Sequence, residues 1–218
     1  MPARIDAVLF DLDGTLVDTA PDLGAALNAM RQRRGLAEIP SAEYRPQASH
    51  GSQGLLRIGF DIDQQHPDFA ALRQEFLVHY AANLTRNSPL FPGMADVIDT
   101  LDARGIKWGV VTNKPEEYTQ PLLDHLGLLE RAAFVVSGDT CTQAKPHPAP
   151  LLHACRLARV AVERCLYVGD AERDVQAANA AGMPALVALY GYLGPHDHPD
   201  AWGAHGFIHA PAALLDWV

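Results

Sequence analysis

Two aspartates two positions apart follow an apolar run near the start of the chain. Residues 7–10 are apolar, Asp11 and Asp13 come next with one leucine between them, and Gly14 follows. Apolar β-forming residues without polar alternation predict a strand that is covered on both faces. Side-chain alternation turns both carboxylates to the same side, and Gly14 lets the backbone approach an anion or a metal closely. The order predicts paired acids at the carboxyl tip of a buried strand.

Two more segments place polar side chains where a phosphate could bind. Thr112 and Asn113 follow the apolar run 107–111 and precede a helix start, so a hydroxyl, an amide and free helix N–H groups lie together. Simple capping of that helix is the alternative. Lys145 is followed by Pro146 and Pro148 before another helix; held stiffly by these prolines, it could neutralise a phosphoryl oxygen, or it could be a solvated surface charge. The chain has only three lysines, which makes each one more informative.

A fourth segment carries a further acid pair. Asp170 ends the run 166–168 after Gly169, and Asp174 lies one helical turn further on the same face. This spacing suits one Mg²⁺ ligand and one partner behind it, although acids also favour helix N-termini through the helix dipole. If the strands are parallel, all four segments meet at one edge of the sheet, where open α/β sheets bind ligands.

The elements that must position these residues follow two different patterns. From about residue 90, apolar strand-like runs alternate with helical patterns, which predicts an α/β fold with a doubly wound parallel sheet that includes the first strand. The predicted strands are 107–111, 134–136, 166–168 and 185–189, and the predicted helices lie near 94–104, 116–126, 148–158 and 171–181. A loop-rich tail precedes a short final strand and helix. Between residues 17 and 88 the patterns are helical, near 21–34, 52–58 and 68–85.

Composition narrows the functional classes. The net charge is −9 with only 17 lysines and arginines, and no long basic run is present, so we expect no nucleic-acid partner. No apolar segment reaches the length of a membrane span, and no leader pattern is recognisable, so we expect no membrane partner. Three cysteines without metal-type or redox-type spacing are expected to be reduced, which is typical of a cytoplasmic protein.

In order and spacing, these motifs resemble those of haloacid dehalogenase superfamily phosphatases. Residues 11–15 match the first motif, Thr112 the second, Lys145 the third, and Asp170 with Asp174 the fourth. The resemblance implies a Rossmann-like catalytic core, residues 1–16 and 89–218, and an inserted α-helical cap domain, residues 17–88. It further implies a small-molecule phosphomonoester substrate, Mg²⁺ as cofactor, and a monomer or homodimer.

The resemblance also implies a role for each motif residue. Asp11 would attack phosphorus to form an aspartyl-phosphate, and Asp13 would act as general acid and base. Thr112 and Lys145 complete the catalytic set, and the phosphate would be bound by Gly14, Thr112, Asn113 and Lys145. Mg²⁺ would be held by Asp11, by Asp13 through its carbonyl oxygen, and by Asp170, with Asp174 behind them.

Further motifs, less specific than the four above, bear on the identity of the substrate. Residues 18–23, 112–115 and 145–148 resemble phosphoglycolate phosphatase-like enzymes, while 45–51, 190–192 and 202–204 also resemble the N-acetylmuramic acid 6-phosphate phosphatase subgroup. We therefore expect 2-phosphoglycolate, with N-acetylmuramic acid 6-phosphate or another sugar phosphate as the alternative. Both named compounds carry a carboxylate, so a positively charged side chain is needed to bind it. The candidates in the cap are Arg45, Ser49 and His50, and an exposed arginine at a helix end is the alternative for Arg45.

Other chemistries of the superfamily fit the residues less well. Dehalogenases lack an aspartate where Asp13 stands, and phosphonate cleavage uses a cap lysine that segment 17–88 does not contain. Sugar phosphomutases carry a histidine where this chain has Leu23. A phosphomutase and a catalytically silent phosphate-binding protein stay as minor alternatives to the phosphatase.

Overall fold

The chain forms two compact units in the computed structural model, which describes residues 4–218. One unit comprises residues 4–17 and 90–218, and the other, the helical unit, is Asp18–Pro89. In the first unit Val17 pairs with Leu90 as an antiparallel bridge. In the helical unit the Asp18 N–H donates to the Pro89 carbonyl oxygen at 2.8 Å. The chain therefore enters and leaves the helical unit along two adjacent segments.

The first unit is built on a six-stranded parallel sheet with the order β3-β2-β1-β4-β5-β6. Phe10 of β1 lies opposite Val110 on one side and Val168 on the other, so β1 is central. This is the strand order of Rossmann-type sheets, and it confirms the predicted α/β class. The strands are β1 (Ala7–Phe10), β2 (Lys107–Val111), β3 (Val135–Val136), β4 (Cys165–Gly169), β5 (Ala185–Ala188) and β6 (Gly206–Ile208).

The helical unit packs its first helix against the third and fourth. The α-helices are α1 (Ala20–Arg33), α2 (Ser41–Tyr44), α3 (Gly51–Phe60) and α4 (Phe69–Ala81), and a 3₁₀ helix covers Arg45–His50. Leu23, Leu27 and Met30 repeat at helical spacing and are buried on α1. A Cβ at Gly59 would overlap Leu27, so the absence of a side chain there lets α3 approach α1 closely.

Four helices cover the sheet of the first unit, namely α5 (Met94–Ala103), α6 (Glu116–His125), α7 (Ala149–Ala158) and α8 (Glu172–Ala181). Ala7 and Leu9 pack in one core cluster with residues of α7 and α8, and Val8 and Phe10 alternate to the opposite face. All four of these strand residues are fully buried. The absence of polar alternation in β1 is explained by helices on both faces.

Several elements differ from the sequence prediction. The helix α2 and the 3₁₀ helix that follows it were not predicted, and strand β3 has two residues instead of three. The final helix is a 3₁₀ helix, Pro211–Asp216. Among the described residues, no helix has both the length and the apolar character that crossing a bilayer requires.

Candidate active site at the carboxyl edge of the sheet

The carboxyl ends of the strands bring three acidic side chains and one lysine together. Asp11 follows β1 and Asp170 follows β4, and these neighbouring strands flank the point where the strand order reverses. One carboxylate oxygen from each of Asp11, Asp170 and Asp174 lies within 4.8 Å of the other two. Lys145 Nζ lies 2.9 Å from Asp11 Oδ1 and 2.7 Å from Asp174 Oδ1. Three of the four predicted segments therefore meet here.

The Asp11 carboxyl is almost completely buried, with 3% of the residue exposed. Burial raises the pKa of Asp11, and the nearby positive charge of Lys145 acts in the opposite direction. One of its oxygens, Oδ1, also accepts the Leu12 N–H at 2.7 Å. The carboxylate is thus held at the end of β1 by a cation and a main-chain donor.

Lys145 is a buried cation whose Nζ is surrounded by hydrogen-bond acceptors of the protein. Besides the two carboxylates, its Nζ donates to the Val111 carbonyl oxygen at 2.9 Å and to the Tyr167 hydroxyl at 2.7 Å. The Lys145 side chain has no exposed area, so the solvated surface position considered from the sequence is wrong. Its positive charge stands at the end of the sheet among acids.

The Asn113 side chain hydrogen-bonds to the main chain of Lys145. Its side-chain amide donates to the Lys145 carbonyl oxygen at 2.8 Å, and its Oδ1 accepts the Lys145 N–H at 2.9 Å. The second predicted segment is thereby joined to the third. Because the Asn113 side chain is engaged in this way, we expect any phosphate contact of this residue to come from its main-chain N–H.

Thr112 directly follows β2 and is buried, with 3% of the residue exposed. Its Oγ1 accepts the Lys114 N–H at 3.1 Å. The helix-capping alternative is not what the structure shows, because α6 has no side-chain cap from its N-cap residue and its Glu116 N–H is bound by Asp139 Oδ1 at 3.0 Å. The hydroxyl lies at the end of the strand adjacent to β1.

Asp13 has a cationic partner that the sequence reasoning did not assign. Lys114 Nζ lies 2.9 Å from Asp13 Oδ1, and the two side chains are 7% and 16% exposed. Gly14 follows with a φ of +85°, which a residue with a side chain rarely adopts. The sequence feature that could have indicated Lys114 is the scarcity of lysine, since Lys114 is one of only three lysines and directly follows Asn113.

Asp174 lies behind the other two acids, with its oxygens already engaged. Its Oδ1 accepts from Lys145 and from the Tyr167 hydroxyl at 3.2 Å, and its Oδ2 accepts the Ala171 N–H at 3.0 Å. Burial and the charges of Asp174 and Asp11 raise the pKa of Tyr167 well above its usual value. Tyr167 was missed because it lies inside an apolar strand and no sequence pattern distinguishes it from a core aromatic.

Asp170 completes a donor set that fits a hard divalent cation. Its Oδ1 accepts the Thr15 hydroxyl at 3.3 Å, and its Oδ2 accepts the Tyr192 N–H at 2.8 Å. Mg²⁺ prefers oxygen ligands, and Asp11 and Asp170 offer carboxylate oxygens close to each other. Asp11 and Asp170 directly follow neighbouring strands, whereas Asp174 lies in the first turn of α8. Asp11 and Asp170 are therefore the acids best placed to hold a metal, and Asp174 suits a supporting position.

The three candidate cap residues lie in the helical unit. Arg45, Ser49 and His50 all belong to the 3₁₀ helix Arg45–His50, so one short element carries them. Arg45 Nη2 lies 2.9 Å from Asp18 Oδ2, in a pair whose side chains are 37% and 20% exposed. The guanidinium is thus oriented by a carboxylate and remains partly accessible.

Comparison with known proteins agrees with this geometry. Residues 5–182 match the model of the haloacid dehalogenase-like hydrolase family. A phosphoglycolate phosphatase of Xanthomonas campestris pv. campestris strain 8004 is 46% identical over 213 residues, covering 96% of this chain and 95% of the relative. An N-acetylmuramic acid 6-phosphate phosphatase of Pseudomonas putida KT2440 is 39% identical over 211 residues, covering 97% and 95%.

Solved structures show the same architecture. The crystal structure of a predicted phosphoglycolate phosphatase from Haemophilus somnus 129PT superposes with a TM-score of 0.85 at 26% identity, covering 99% of this chain and 98% of that one. The family match covers most of the chain, and the Asp11, Lys145 and Asp170 segments converge at the sheet edge. The chain belongs to the haloacid dehalogenase-like hydrolase family, and its curated relatives place it among the phosphatases of that family.

Proposed function

We propose that this enzyme hydrolyses the phosphate ester of 2-phosphoglycolate, with Mg²⁺ as cofactor and a covalent aspartyl-phosphate at Asp11. The observation that carries the proposal is the Asp11–Lys145 pair, a buried carboxylate at the tip of β1 with an ammonium group 2.9 Å away. A nucleophilic carboxylate must remain ionised in a site from which water is excluded, and the lysine charge favours the ionised form.

In the first half-reaction, an Asp11 oxygen attacks phosphorus in line and the bond from phosphorus to the glycolate oxygen breaks. Asp13 gives its proton to the departing oxygen, so glycolate leaves as an alcohol. Gly14, Thr112 and the Asn113 N–H bind the remaining phosphoryl oxygens, and Lys145 adds its positive charge nearby. Asp11, Asp170 and the Asp13 carbonyl oxygen would hold Mg²⁺, which would supply further charge neutralisation.

In the second half-reaction, Asp13 accepts a proton from a water molecule. The water oxygen attacks phosphorus, the bond between Asp11 and phosphorus breaks, and inorganic phosphate leaves. Asp13 is again protonated and Asp11 is again a free carboxylate, so the cycle closes without another reactant. Asp174 and Tyr167 keep Lys145 in place throughout.

The substrate assignment rests on the relatives and on charge. Phosphoglycolate phosphatases at 46% identity favour 2-phosphoglycolate, and an N-acetylmuramic acid 6-phosphate phosphatase at 39% identity supports that sugar phosphate as the second candidate. Both compounds carry a carboxylate. We infer that Arg45, with Ser49 and His50 on the same 3₁₀ helix, binds the substrate carboxylate.

A side-by-side kinetic comparison tests the proposal. We expect Mg²⁺-dependent release of phosphate, with a higher kcat/KM for 2-phosphoglycolate than for N-acetylmuramic acid 6-phosphate. Asp11→Asn should abolish turnover, because an amide cannot act as the nucleophile. Asp6→Asn is the matched control, since Asp6 precedes β1 at its other end and pairs with Arg164. The reverse substrate preference would favour the second candidate, and substantial turnover by folded Asp11→Asn would contradict the covalent route.

A further inference from the structure

The segment Tyr190–Tyr192, which follows β5, closes over Asp170. The Tyr192 N–H donates to Asp170 Oδ2 at 2.8 Å, and Tyr192 itself is 2% exposed. A Cβ added at Gly191 would overlap the Asp170 Cβ and would lie 2.5 Å from the Gly14 carbonyl oxygen. The main chain at Gly191 therefore lies directly against both Asp170 and the loop that carries Asp13 and Gly14.

Aromatic side chains anchor this segment at both ends. The Tyr190 hydroxyl donates to the Thr15 carbonyl oxygen at 3.2 Å, while the Thr15 hydroxyl donates to Asp170. The Phe91 ring lies 5.0 Å from the Tyr190 ring and 6.2 Å from the Tyr192 ring. The segment is thus tied to the loop after β1 and to the residue after Leu90.

We propose that the Tyr190–Tyr192 segment is a positioning device that sets the Asp170 carboxylate for metal binding. The inference rests on the proposed function, in which Asp170 holds Mg²⁺. One Asp170 oxygen accepts a main-chain N–H and the other a hydroxyl, so the plane of the carboxylate is set from two sides. Outer partners of metal ligands orient them in this way, and their loss typically weakens metal affinity by about 10- to 100-fold.

Gly191→Ala tests the idea, because only crowding is changed. The φ of Gly191 lies outside the left-handed region, so alanine fits the backbone there, but its methyl group must displace Asp170 or the Gly14 loop. We expect Mg²⁺ affinity, measured by isothermal titration calorimetry on the full chain, to fall by about 10- to 100-fold. Tyr190→Phe removes one hydroxyl and should weaken Mg²⁺ binding by a smaller factor, which provides a second, milder variant.

Two controls separate the possible outcomes. In Gly105→Ala a new Cβ meets nothing within 4 Å but the φ of +68° is strained, so we expect lower thermal stability with unchanged Mg²⁺ affinity. Asp170→Asn should abolish Mg²⁺ binding. If Asp170→Asn loses the metal while folded Gly191→Ala and Tyr190→Phe bind it as the wild type does, the positioning role is overturned and the proposed metal site stands. If Asp170→Asn binds Mg²⁺ normally, the proposed metal site itself is wrong, and the positioning role falls with it.

Discussion

Lys145 is a cation that two buried carboxylates share. Its ammonium pairs with Asp11 and Asp174, and both acids are nearly inaccessible to water. Removing one partner of a buried ion pair leaves an uncompensated charge, which typically costs about 3–5 kcal/mol. The same ion pairs are therefore expected to support both folding and turnover.

Lys145→Ala should lower the thermal stability of the protein and reduce kcat/KM together. Circular dichroism melting and phosphate release measure the two effects. Lys107→Ala is the matched control, because Lys107 begins β2 at the opposite edge of the sheet and donates to the Ala158 carbonyl oxygen. We expect Lys107→Ala to retain turnover. A folded Lys145→Ala with unchanged kcat/KM would remove Lys145 from the proposed mechanism.

Lys114 is expected to act through Asp13. Its Nζ lies 2.9 Å from Asp13 Oδ1, so we expect it to orient the carboxyl proposed to protonate the leaving oxygen. General acid catalysis contributes about 10²–10⁴-fold, and it matters most for poor leaving groups. Lys114→Met should therefore slow the hydrolysis of alkyl phosphates more than that of p-nitrophenyl phosphate. Asp13→Asn should show the same pattern more strongly, and equal losses on both substrates would contradict the orienting role.

Arg45 is expected to affect selectivity. If it binds the substrate carboxylate, Arg45→Ala loses a charge-assisted hydrogen bond of about 1.5–3 kcal/mol, or roughly 10- to 150-fold in kcat/KM for 2-phosphoglycolate. Hydrolysis of a phosphomonoester whose leaving group carries no charge, such as ethyl phosphate, should be retained. Arg57→Ala, which changes an exposed arginine of α3, is the control. A uniform loss on both substrates would show that Arg45 supports the helical unit instead.

At the scale of elements, Asp22 in the first turn of α1 binds the end of the helical unit to its beginning. The fully buried carboxylate accepts the Asn87 N–H at 2.8 and 3.0 Å, and the Ser88 hydroxyl at 2.7 Å. The segment that leads to Pro89 is therefore held against α1 by charge-assisted bonds, which are stronger than neutral ones.

Asp22→Ala should destabilise the protein by about 2–4 kcal/mol, because buried donors are left without an acceptor. Urea denaturation measures the loss, and amide exchange around residues 84–89 should speed up. Asp96→Ala is the matched control, since Asp96 also lies in a first helical turn, that of α5, but is exposed. We expect Asp96→Ala to change stability much less. Comparable losses in the two variants would mean that the helix dipole, not the Asp22 bonds, is responsible.

The long periodic elements were predictable because their side chains repeat at one spacing. Helices α5 to α8 and strands β2, β4 and β5 lie within one or two residues of the sequence ranges. The 3₁₀ helix Arg45–His50 was not predicted, because it is short and Pro46 removes one backbone donor at its start.

Within the site, the residues whose positions could be predicted from the sequence are those that directly follow a strand. Asp11, Thr112 and Asp170 directly follow strands, so the parallel sheet alone places them at one edge. The partners Lys114, Tyr167 and Tyr192 reach the acids through long side chains or a main-chain N–H. Those contacts are set by tertiary packing, which no local spacing encodes.

At the scale of the whole molecule, metal binding should couple to stability. A ligand that binds only the folded state raises the free energy of unfolding, by about 2.7 kcal/mol at a concentration of 100 times Kd. We expect EDTA to abolish phosphate release and excess Mg²⁺ to restore it, and Mg²⁺ to raise the melting temperature. Asp170→Asn should show no such rise. Full activity after exhaustive EDTA treatment would exclude the proposed magnesium dependence.

The paired crossing segments have a consequence for how such a chain can diversify. Val17 pairs with Leu90 in the first unit, which bears the sheet, and Asp18 pairs with Pro89 in the helical unit. The chain therefore enters and leaves the helical unit through residues that are hydrogen-bonded to each other. The ends of the sheet-bearing unit are therefore already adjacent at this point, and the entropy of closing a loop there grows only slowly with loop length. We therefore expect that a shorter, longer or unrelated insertion can be grafted between Val17 and Leu90 without shifting the register of β1 against its neighbours. If the helical unit sets substrate preference, as proposed for Arg45, we expect recombination at these segments to exchange that preference while the proposed hydrolytic centre is retained.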